Sequence, residues 1–75
     1  MTKYYFDLEN GDGFLKDENG RELADIAAVH REVATIVLDI ASDELNGADP
    51  FSAKVIVRDE NNQVRFRGAL THQSE

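Results

Sequence analysis

Two acidic loops are the first places where this chain could do chemistry. Asn10-Gly11-Asp12-Gly13 and Asp17-Glu18-Asn19-Gly20 set carboxylates and amides beside glycine, as oxygen-ligand loops for calcium do. Their spacing departs from the EF-hand loop at several positions. Asp, Asn and Gly are also the residues that tight turns select, so hairpin turns account for both loops.

The histidines are His30 and His72, and cysteine is absent. Two nitrogen ligands and no thiolate fall short of a dedicated zinc site. Ser42, Ser52 and Ser74 could serve as nucleophiles only beside a histidine, and none has the strand-turn-helix context of an activated serine. Gly11-Asp12-Gly13 lacks the further glycine, the lysine and the following helix that cradle a phosphate, and its acid would repel one. No catalytic, cofactor-binding or metal residue is therefore expected, and the chain reads as non-enzymatic.

The pattern from Asp25 to Asn46 predicts the only helix. On a wheel of about 100° per residue, Ile26, Val29, Val33, Ile36, Val37 and Ile40 share one side, with His30 among them. Ala27, Ala34, Ala41, Leu38 and Leu45 widen the apolar arc to roughly 200°, more than covering a sheet requires. Leu38 and Leu45 at its margin are therefore a candidate contact. The alternative is that the loop from Gly47 to Ala53 covers them. Asp25 is the expected N-cap, Asn46-Gly47 the left-handed C-terminal cap, and Pro50 blocks continuation.

Tyr4 to Leu8 alternates with period two and predicts a first strand, broken by the first acidic loop. Phe14-Leu15-Lys16 is a short second strand, and Arg21-Glu22-Leu23 a short extended piece after the second loop. Lys54 to Arg58 is rich in β-branched residues, the strongest strand signal. Asp59-Glu60-Asn61-Asn62 is a turn, and Val64 to Leu70 alternates again. Thr71 to Glu75 carries no pattern and reads as a frayed tail. The expected fold is α+β, β-β-α-β-β, with a four-stranded antiparallel sheet in the order 2-1-3-4 under one helix.

This arrangement sorts the strand residues onto two faces. Tyr4, Phe6, Leu8, Val55, Val57, Val64, Phe66 and Leu70 point toward the helix. Lys3, Tyr5, Lys54, Ile56, Arg58, Arg65 and Arg67 then point away, so five of the eight basic residues share one face. Tyr5, Ile56, Arg58, Arg65 and Arg67 are the candidate interaction face, for an acidic protein, a second copy, or single-stranded nucleic acid stacked on Tyr5. The plainer alternative is a solvated face where Asp7 and Glu9 pair with arginines across strands.

Size and composition bound these readings. With 75 residues the chain is one domain, 1–75, and small enough that self-association would help it bury surface. The net charge of −7 disfavours nucleic acid and anionic membrane as partners of the whole molecule. No run approaches the roughly 18–20 apolar residues of a membrane span, and the apolar run after Met1 is too short for a signal peptide. Absence of cysteine is compatible with a reducing cytosol.

Tyr4-Tyr5-Phe6-Asp7-Leu8, Gly11, Asp17-Glu18-Asn19-Gly20-Arg21-Glu22-Leu23, the alanine-bearing helix and Val57-Arg58-Asp59-Glu60-Asn61 together resemble a known family. It comprises short proteins common in soil and root-associated alpha-proteobacteria, catalogued as a domain of unknown function. The family tends to have Gly where this chain has Asn62, and Asn also tolerates that geometry. The resemblance implies a bacterial, cytoplasmic protein and carries no activity. The resulting expectation is a small interaction or regulatory module, homodimeric or bound to another protein, with weak nucleic-acid binding on the basic face as the runner-up.

Overall fold

A computed structural model describes residues 1–11, 13–44 and 50–73. The elements run β1 (Thr2–Asn10), β2 (Gly13–Leu15), β3 (Arg21–Leu23), α1 (Ile26–Glu44), β4 (Phe51–Arg58) and β5 (Val64–His72). The fold is α+β, with one helix on an antiparallel sheet. The sheet runs β2-β1-β4-β5 and has five strands, not four, because β3 also pairs with β1. With three residues, Arg21–Leu23 is too short for alternation to mark it as a strand.

β1 is shared by three partners. Leu8 to Asn10 pair with β2, Thr2 to Tyr4 pair with β3, and Tyr5 to Asn10 pair with β4. β5 pairs with β4 along Phe51 to Arg58 and lies at the end of the path. The strand reaches His72, whose ring lies 5.6 Å from that of Phe51, so Thr71 and His72 belong to the sheet and not to a frayed tail.

Helix α1 begins where expected. The Asp25 carboxylate accepts the Ala28 N–H at 2.8 Å, meeting one of the free first-turn donors. The expected cap at Asn46-Gly47 and the contact residue Leu45 lie outside the described residues.

Val29, Val33, Phe6, Val55 and Val57 form the buried core, with Tyr4, Leu8, Leu23, Ile36, Val37 and Phe66 packed around it. The faces therefore sort as the alternation indicates, with one correction. Val57 pairs with Phe66 but Arg58 pairs with Val64, so β5 holds one extra residue there. Such a bulge interrupts the period-two pattern. Val64 pairs with the outward-facing Arg58 instead of joining the core, and is 41% exposed. Asn62 in the preceding turn has φ of 64°, the left-handed conformation that Asn tolerates.

Candidate interaction surface

The sheet face away from α1 carries the expected basic residues, but they are not equivalent. Arg58 is committed internally. Its Nε donates to Asp7 Oδ2 at 2.6 Å and its Nη2 to Asp7 Oδ1 at 3.0 Å. Nη2 also donates to the Asp17 carbonyl at 3.1 Å, and Nη1 to Asn62 Oδ1 at 2.8 Å. The guanidinium lies 5.0 Å from the centre of the Tyr5 ring. Asp7 is only 3% exposed, although it sits on the outward face. The Asp17–Gly20 turn lies over this part of the sheet, with Gly20 packed on Lys3 and Tyr5. Tyr5 and Arg58 thus serve the fold, and the outward face is covered at this end.

The turn is built around Asp17. Between the segments of β1 that pair with β2 and β3, the Phe6 N–H donates to Asp17 Oδ2 at 3.0 Å. Asp17 Oδ1 accepts from the Asn19 and Gly20 N–H groups, each at 3.1 Å, and the Asp17 N–H donates to Asp7 Oδ1 at 2.9 Å. The loop considered for calcium uses its first carboxylate as a turn-closing acceptor. No group of three or more metal-ligating side chains comes together among the described residues.

The Arg58 hydrogen bonds hold the Asp7 carboxyl below its ordinary value of 3.8, outweighing burial, which acts the other way. Burial pushes the Asp17 carboxyl up, yet the three backbone N–H bonds outweigh it and the net shift is also downward. A carboxyl whose folded value lies below its unfolded one stabilises the fold above the unfolded value. That contribution is lost as pH falls through the folded value. The urea midpoint is therefore expected to hold as pH drops from neutral to about 5 and to decline below about pH 4. Asp7→Asn should flatten that decline, and an equal decline in the variant would remove Asp7 as its cause.

The remaining residues of the candidate face are more open. Arg65 and Arg67 are exposed and Ile56 is half-buried. Arg65 makes only a 3.9 Å approach to Asp59. Phe66 turns inward, its ring 4.3 Å from that of His30. His30 is exposed and caps the edge of the core, as a boundary residue does.

The two flanks of α1 differ. On one side an ion pair joins Glu32 to Arg21 of β3, and Ile36 borders an open groove lined by Leu8, Leu15 and the Asp17–Arg21 turn. Leu15 and its neighbour Phe14 are exposed. The sequence reading missed this groove, because β2 is too short for its alternation to show which side stays uncovered. On the other side, marked by the His30–Phe66 contact, lie Ile26, Ala27, Ala34, Val37 and Leu38. Ala27 and Ala34 are exposed, Ile26 is exposed, and Leu38 is 68% exposed. The expected helix-margin contact at Leu38 is thus open, on the side of α1 turned away from the sheet.

A family model described as Domain of unknown function (DUF6894) matches residues 3–71. No curated protein and no solved structure matches the chain. Among the described residues, no helix is long and apolar enough to cross a membrane.

Proposed function

The chain belongs to the DUF6894 family, a domain of unknown function, and on that premise we propose that it is a cytoplasmic bacterial protein-interaction module without catalytic activity. The contact surface is the uncovered side of α1 at Leu38. The observation that carries this reading is the exposure of Leu38, at 68%, on a flank that also exposes Ile26, Ala27 and Ala34. An exposed leucine with exposed apolar neighbours on a small domain is a candidate contact site. The runner-up, single-stranded nucleic acid on the sheet face, is less well supported. Tyr5 would have to stack a base, and it already lies beneath Arg58 and against Gly20.

Site-specific photo-cross-linking in the native host tests this. With Leu38→p-benzoylphenylalanine, light should give a protein adduct. The same substitution at Asp39, which is exposed on the polar side of α1, should give little. Equal labelling from both positions would remove the flank as the contact, and a nucleic-acid adduct from position 67 would favour the runner-up.

A further inference from the structure

Resting on that reading, we infer that the partner is a second copy of this chain, joined along β5. The two β5 strands pair antiparallel about a two-fold axis at Gly68, which makes one continuous sheet and sets the two α1 flanks side by side.

The open edge comes first. β5 has nine residues, contains no proline, and pairs only with β4 among the described residues. Its free backbone groups follow from alternation along the sheet. The Phe6 N–H points to Asp17, away from β4. Odd-numbered residues of β1 therefore bond to β4, and Val57, Val55 and Ala53 of β4 bond to Phe66, Gly68 and Leu70. The backbone groups of Arg67, Ala69 and Thr71 are left directed at the open edge. An unpaired row of this kind is a template for another strand.

The residues of β5 select its own copy and one register. Gly68 is the middle residue of Val64–His72. A two-fold axis there pairs Arg67 with Ala69 of the second copy and Arg65 with its Thr71, so no like charges face each other. Regular pairing runs over Phe66 to Leu70, short of the bulge, and matches the edge-directed groups of Arg67 and Ala69. Centring on Arg67 instead would set Arg67 against Arg67. On the inner face the chosen register sets Phe66 beside Leu70.

The helix falls into place without further adjustment. A Cβ on Gly68 would lie 2.6 Å from Val33 Cγ1, so α1 passes over β5 at Val33, to one side of the proposed axis. Its neighbour Ala34 lies on the exposed flank nearest the axis. The operator makes the two helices antiparallel and brings Ala34 of one toward Ala34 of the other.

Two measurements on the whole chain test this. Sedimentation should show two chains per particle. Ala69→Pro removes an edge N–H without touching the bonds to β4, and should raise the dimer Kd about tenfold or more while the circular dichroism stays native. Register is read separately by cross-linking, since the chain has no cysteine of its own. A mixture of Arg67→Cys and Ala69→Cys chains should oxidise to a covalent heterodimer, because directly opposed residues of a hydrogen-bonded pair have Cα atoms about 5.5 Å apart. Arg67→Cys alone should not, its two copies being about 8 Å apart. A single-chain mass at every concentration, absence of the mixed disulfide, or ready self-linking of Arg67→Cys overturns the proposal. If Leu38 still labels another protein in cells, the interaction reading survives that result. If Leu38 labels nothing, it does not.

Discussion

Replacing Arg58 by leucine is expected to lower the unfolding free energy by about 3–5 kcal/mol, the usual cost of removing one partner of a buried ion pair. A 75-residue domain has roughly 4–11 kcal/mol in total, so the variant should be largely unfolded at modest urea. The reason is geometric. Asp7 is 3% exposed and would keep its charge with only the Asp17 N–H to meet it. The Asp17 carbonyl and Asn62 would also lose a donor. Arg58→Lys should recover little, because one ammonium cannot span both Asp7 oxygens, a carbonyl and an amide at once. Adding Asp7→Asn to Arg58→Leu should recover part of the loss by removing the stranded charge. Urea midpoints for the four chains decide this, and an Arg58→Leu midpoint equal to that of the native chain would show the pair to be incidental.

The second large effect is expected at Gly68. Gly68→Ala should cost about 1–3 kcal/mol, the range for overpacking a filled core. Val33, against which the new methyl would press, is buried, and a β-branched side chain on a helix has one favoured rotamer and little room to yield. Val33→Ala alone should also destabilise, by leaving a gap. The double variant should cost less than the two singles added together, with a coupling of about 1–2 kcal/mol. Thermal unfolding at one chain concentration gives the cycle, and strict additivity would mean the helix shifts freely over the strand.

How much of this was legible in the sequence depends on the range of the forces involved. The helix, the main strands and the inward set around Phe6, Val55 and Val57 follow from periodicity, which is local. Val64 does not, because a bulge is set by pairing with Arg58 across the turn, and nothing in Val64-Arg65-Phe66 announces the extra residue. Arg58 could be placed on the outward face from alternation alone. That it would be consumed by Asp7 depends on a diagonal neighbour 51 residues away and on a turn folding over both. The cross-strand pairing of Asp7 with an arginine was a visible alternative, and the structure adopts it at this position. Asp17 was legible as a turn residue, but its acceptance of the Phe6 N–H needs the gap between β2 and β3. The exposure of Leu38 could be posed only as a choice, since the width of the apolar arc leaves open what covers its margin.

The central position of β1 has a consequence during synthesis. Its strand is made early, but Arg58, which neutralises Asp7, follows 51 residues later. At about 5–20 residues per second, ribosomes need roughly 3–10 s to supply it. For that interval β1 can pair only with β2 and β3, with an uncompensated Asp7 and its β4 side bare. The acid that later locks the sheet thus first serves as a charge on an unprotected strand, where it discourages premature pairing between neighbouring nascent chains.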